Sequence, residues 1–68
     1  MIRSNFGDRI KELRIKKGIS QEKFAVSIGM DKKYYWSIEK GKRNVSLESI
    51  ERIAKGLGVS LETLFKGL

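Results

Sequence analysis

Three segments of the 68-residue chain each open with a serine followed two positions later by a glutamate: Ser20 with Glu22, Ser46 with Glu48, and Ser60 with Glu62. A serine hydroxyl accepts a hydrogen bond from a backbone N–H that the first turn of a helix leaves free, and a carboxylate in that turn faces the positive end of the helix dipole. Each pair therefore marks a helix start, and Asp31 has the same capping chemistry for a fourth. Gly18, Gly29, Gly41 and Gly58 supply the matching stops, because glycine accepts the left-handed backbone on which helices commonly end. Between these marks apolar residues recur at helical spacing, proline is absent, and no stretch alternates with the period of a strand. The chain is expected to be all-α: a compact five-helix bundle with helices near 5–17, 21–28, 32–39, 47–57 and 61–66, forming one domain over residues 1–68. Gly56 falls inside the last turn of the fourth helix, where glycine costs about 1 kcal/mol relative to alanine. Either that helix frays early or another backbone passes close by.

A domain of this size has a small core and no second lobe to wall an enzyme cleft, which favours a surface that works by shape and charge. Lysine and arginine total 15 against 8 acidic residues, a formal charge of +7. Polyanions are attracted, with nucleic acid the first partner to consider and an anionic membrane surface the second. Cysteine and histidine are both absent, which removes disulfides, thiolate nucleophiles, sulfur-ligated zinc and the commonest acid–base side chain. No enzyme activity, metal or cofactor is expected. No apolar run approaches a membrane span and Met1 to Ser4 carries no secretory signal, so a cytoplasmic location without membrane association is expected.

Between Gln21 and Ile38 the apolar positions are Phe24, Ala25, Ile28, Met30, Tyr35 and Ile38. The small residues Ala25 and Gly29 fall where two helices joined by a tight turn would touch, which describes a bihelical unit. Together with Phe6 to Arg14, Gly18 to Ala25, Ile28 to Asp31, Ile38 to Arg43 and Ile53 to Ser60, the chain resembles the Cro-type, phage-repressor-like helix-turn-helix domains of bacterial and phage regulators. The resemblance covers nearly the whole chain and rests on the order and spacing of these stretches rather than on any one of them.

That resemblance implies a recognition helix over Asp31 to Lys40 laid in the major groove, which admits a helix and presents a distinct donor and acceptor pattern for each base pair. Lys32, Lys33 and Ser37 match the family's base-reading positions; each lysine could equally contact a phosphate or stay solvated. Lysine donates to guanine O6 and N7, so a guanine-containing half-site is expected. Ser20 and Gln21 match the start of the first motif helix, where the family grips a phosphate. Lys40, Lys42, Arg43 and Asn44 form a basic loop suited to flanking phosphates. Arg14 and Glu39 match a family ion pair joining the first helix to the end of the recognition helix.

Helical geometry separates Tyr34, Tyr35 and Trp36, since successive residues turn by about 100°. The offset from Ile38 assigns Tyr35 to the core and leaves Tyr34 and Trp36 outside, among the expected DNA-binding residues. Trp36 is then either an apolar contact for thymine methyls and sugar edges or a packing group for a neighbouring helix or dimer mate.

Helices four and five carry Leu47, Ile50, Ile53, Ala54, Leu57, Leu61, Leu64, Phe65 and Leu68, more apolar groups than one small domain easily buries. A symmetric dimer interface among Ile50, Val59, Leu61, Phe65 and Leu68 is one reading, and a wholly intramolecular core is the other. The expected function is a sequence-specific, double-stranded-DNA-binding transcriptional regulator acting as a homodimer on a near-palindromic operator, with no small-molecule effector. The segment Met30 to Tyr35, followed by Ile38 to Lys40 and Arg43 to Asn44, resembles the recognition region of restriction–modification controller proteins, with a phage-type repressor the neighbouring reading. The alternative is an antitoxin or other protein-binding module whose DNA binding is autoregulatory.

Overall fold

The computed structural model describes residues 1–68, in five helices: α1 (Ile2–Lys16), α2 (Gln21–Ser27), α3 (Lys32–Glu39), α4 (Leu47–Leu57) and α5 (Leu61–Leu64). All four expected caps form. The Ser20, Ser46 and Ser60 hydroxyls accept from the backbone N–H three residues on, each at 3.1 Å, and the Asp31 carboxylate accepts from Tyr34 N at 3.0 Å. Glu22, Glu48 and Glu62 occupy first turns, where their charge opposes the helix dipole.

The core is built around α3, which packs against both α1 and α2, with α4 laid on α1 and α5 on α4. Its largest fully buried side chains are Ile10 of α1, Phe24 of α2, Tyr35 and Ile38 of α3, Ile53 of α4 and Leu64 of α5, so every helix contributes. The Phe24 and Tyr35 rings meet at 5.2 Å in a tilted arrangement, and Phe6 stacks on Phe65 at 5.3 Å, tying α1 to the end of α5. Aromatic pairs at these separations add to the effect of the area they bury.

Two helix boundaries differ from the sequence expectation. Helix α1 starts at Ile2 rather than near residue 5, because its first turn rests against the loop after α3: a methyl group built on Gly41 would lie 2.8 Å from Ser4 Cα. Helix α5 stops at Leu64, and residues 65–67 continue as turns that end with Gly67 at φ 85°. Gly56 resolves differently from both alternatives. Helix α4 does not fray there, and what approaches is a pair of side chains, the Ile28 methyl Cγ2 and the Phe24 ring, with ring carbon Cε1 at 3.1 Å from the place a Cβ would take. Gly56 is the notch through which α4 admits α2.

Candidate nucleic-acid interface

The turn between α2 and α3 fixes the angle of the bihelical unit. Gly29 adopts φ 67° with open space around the position of a Cβ, so its requirement is purely conformational. The chain then returns Met30 N to Ala25 O at 2.9 Å, and Ala25 is fully buried where the two helices meet.

A buried carboxylate fixes the other end of α3. Glu39 accepts from Arg14 Nε at 2.7 Å and Arg14 Nη2 at 3.3 Å, from the Tyr35 hydroxyl at 2.6 Å and from Gln21 Nε2 at 2.8 Å. Arg14 spends a further N–H on Ile19 O at 2.7 Å, in the α1–α2 connection. One carboxylate therefore joins α1, α2 and α3, and nearly every donor aimed at it is satisfied, as a low-dielectric site demands. Burial alone would push the Glu39 carboxyl up, but hydrogen bonds from Arg14, Tyr35 and Gln21 and the charge of Arg14 outweigh it and hold it below the usual carboxylate range. The hydrogen bond to Glu39 raises Arg14 against the opposing effect of its own burial. Burial, then the hydrogen bond to Glu39, drive the Tyr35 hydroxyl far above its ordinary value, so it stays a donor at neutral pH.

Gly7 completes this junction. A Cβ there would collide with the backbone carbonyls of Ile38 and Glu39, the former at 2.7 Å, so α1 meets the C-terminal turn of α3 backbone to backbone. Nothing in the spacing of the first helix singled out Gly7, although a glycine inside a helical pattern is itself a sign of close packing.

With Tyr35, Ile38 and Glu39 turned inward, α3 presents Lys32, Lys33, Trp36 and Lys40 to solvent. Trp36 is 42% exposed and flanked by the Lys42 and Lys40 ammonium groups at 5.3 and 5.6 Å from its ring centre. Arg43 lies over the half-buried Tyr34 ring at 5.4 Å. These cation–π contacts gather the loop cations against the outer face of α3. Asn44 is exposed on the same loop, and Ser20 is exposed at the start of α2.

Two expected DNA contacts sit differently. Ser37 is buried, its hydroxyl donating to Tyr34 O at 2.6 Å and accepting from Arg43 Nε at 3.0 Å. No hydroxyl proton remains for a base; Ser37 instead fixes the direction of Arg43. Gln21 directs its amide N–H at Glu39, which leaves its oxygen but not that donor to the surface. Gln21 is drawn to a carboxylate 18 positions away and Ser37 to an arginine six positions on, partners that a linear pattern does not reveal.

Of the residues expected at a dimer interface, Ile50, Val59 and Phe65 are half-buried against the core, while Leu61 and Leu68 are exposed. Leu47, expected among the apolar positions of α4, is 81% exposed, and Met1 and Ile2 at the start of α1 are open as well.

An outward cationic and aromatic helix, its partner helix across a glycine turn, and a buried ion pair holding both to α1 are the parts of a helix-turn-helix unit. The family model described as helix-turn-helix matches residues 10–64, and the chain belongs to that family. Within it, the chain is 50% identical over 68 residues to control protein C.MunI of Mycoplasma sp, covering 98% of this chain and 92% of that protein. Among solved structures it is similar to the restriction–modification controller protein C.AhdI from Aeromonas hydrophila, at 44% identity and TM-score 0.87, covering 91% of this chain and 90% of that one. It is also similar to the controller protein C.Esp1396I, solved as a tetramer with its natural 35-base-pair operator, at 36% identity and TM-score 0.89 over 97% of this chain and 87% of that one.

Proposed function

We propose that this chain is a controller-type transcriptional regulator that binds a near-palindromic site on double-stranded DNA as a homodimer, with residues 1–68 acting as one domain. The observation that carries the reading is the outer face of α3. Lys33, Trp36 and Lys40 project from a helix whose inner face is locked to α1 and α2 through Glu39, and Lys42 and Arg43 are gathered at its end. A rigid helix in the major groove, with cations at its C-terminal end for the flanking phosphates, is what recognition by this motif requires. Lys32 and Lys33 read bases, while Lys40, Lys42, Arg43 and Asn44 hold phosphates. The similarity to C.MunI over nearly its whole length supports the controller class.

The dimer uses the apolar surface left open by α4 and α5, centred on Leu61 and Leu68 beside Phe65. A molecule 26 × 22 × 20 Å is large enough for two copies side by side to seat their α3 helices about 34–36 Å apart, one helical repeat of DNA. The protein acts by binding rather than catalysis, in the cytoplasm; no helix is long and apolar enough to cross a membrane.

The test begins with duplexes selected from a random pool. Lys33→Ala is expected to relax specificity at one or two base pairs, whereas Lys42→Ala weakens all duplexes alike and reduces the salt slope by about 1. Equal effects of the two substitutions would reject this division of roles, and a single monomeric species at micromolar concentration in analytical ultracentrifugation would reject the dimer.

A further inference from the structure

The cleft between α2 and α3 is lined by Gln21, Glu22, Lys32, Lys33 and Trp36, and Glu22 is the acidic member of that set. The carboxylate of Asp31 nearby is engaged in capping α3 through Tyr34 N, but Glu22 holds no backbone group. Its Oε2 lies 3.5 Å from Lys32 Nζ, across the opening that faces the DNA in the reading above. Both side chains are more than half exposed, so the pair adds little to stability. Its effect falls instead on what Lys32 is free to do.

We propose that Glu22 withholds Lys32 from phosphates, so that Lys32 is released only to an acceptor better than a carboxylate in water, and Glu22 is thereby a specificity-determining residue. This rests on the DNA-binding reading. A non-cognate duplex offers Lys32 a single phosphate oxygen in high dielectric, which does not displace the Glu22 carboxylate already 3.5 Å away. A cognate groove offers the O6 and N7 acceptors of guanine in a desolvated setting, where the same ammonium gains more. Lys32 therefore remains paired on non-cognate DNA and transfers on cognate DNA. Lys33, which has no such partner, contributes to both.

The experiment is a double-mutant cycle read by salt dependence. Affinities of the wild type, Glu22→Gln, Lys32→Gln and the double variant are measured against salt on a random-sequence duplex and on a duplex selected from a random pool. Glu22→Gln is expected to tighten binding to the random duplex by up to about fivefold per protomer, and to steepen its salt slope by about 0.9 per protomer as Lys32 takes up one more phosphate. The slope on the selected duplex stays unchanged, and in the Lys32→Gln background the Glu22→Gln effect disappears. The proposal is overturned by an unchanged slope on random duplex, by the same steepening on both duplexes, or by an equal gain without Lys32, since Glu22 would then act on phosphates directly. A wild type that binds neither duplex removes the DNA-binding reading itself, and the inference with it. Both side-chain changes are on the surface, so circular dichroism should report one fold throughout.

Discussion

Replacing Tyr35 by phenylalanine removes one oxygen from the buried junction and leaves the ring that packs on Phe24. The lost group donates at 2.6 Å to Glu39, a charged acceptor, and a hydrogen bond to a charged group contributes about 1.5–3 kcal/mol. Glu39 keeps Arg14 and Gln21 as donors, so the variant carries no uncompensated charge and should fold. Domains have about 0.05–0.15 kcal/mol of stability per residue, which for a chain this short makes the loss a large share of the whole. In urea, with a slope near 1 kcal/mol/M, the midpoint is expected to fall by about 1.5–3 M at unchanged slope. The dependence on pH makes the test sharper. Tyr35 has its ionisation raised in the folded state, so the unfolded chain loses this proton near pH 10 while the folded chain keeps it. Wild-type stability from this group is therefore constant below pH 10 and declines above it, by roughly 1.4 kcal/mol by pH 11, whereas phenylalanine has no such decline. The gap between the two proteins should narrow by that amount between pH 8 and pH 11. A midpoint shift under about 0.3 M, or a gap that stays constant with pH, would refute the claim that the hydroxyl is buried and bound to a carboxylate.

Acid should act through Glu39 with the opposite sign. Its folded-state value lies below the unfolded one, so its contribution is complete above about pH 4.3 and is lost as pH falls through the depressed value; acid titration of Glu39→Gln, which starts less stable, is expected to show a flatter limb. Gly29 and Gly56 separate two reasons for a glycine. Gly29→Ala should cost about 1–2 kcal/mol from left-handed backbone alone, and Gly29→Asn less, since asparagine tolerates that region. Gly56→Ala gains about 1 kcal/mol in helix propensity but must displace Ile28 and Phe24, an overpacking worth about 1–3 kcal/mol. Thermal denaturation should find it destabilised, with the loss relieved in an Ile28→Ala background; additive effects would refute the contact.

Ser20, Asp31, Ser46 and Ser60 were legible because a cap is a local device: the hydroxyl, the N–H it satisfies and the glycine that ends the preceding helix lie within a few residues. Tyr35 was placed in the core by its offset from Ile38 for the same reason. The Arg14–Glu39 pair became legible through family resemblance, and the structure enlarges it, because a carboxylate has more acceptor capacity than one guanidinium fills and Tyr35 and Gln21 take up the remainder. Gly7 and Ser37 escaped. Their roles depend on what crosses them from elsewhere, a carbonyl of α3 in one case and Arg43 in the other, and neither is encoded within a turn of the residue itself. The starts of α1 and the end of α5 were misjudged on similar grounds, since the former is set by Ser4 against Gly41, 37 positions away in the sequence.

Glu39 sits at the crossing of three helices, yet none of its donors belongs to the outward side of α3. On the proposed reading of the outer face of α3, a lineage of such proteins can therefore exchange Lys32, Lys33 or Trp36 and acquire a new preferred sequence while the helix that carries them keeps its pose. The reverse does not hold. Any change at Glu39, Arg14 or Gly7 alters pose and durability together, so new recognition is free to arise on one face of this helix and is closed off on the other.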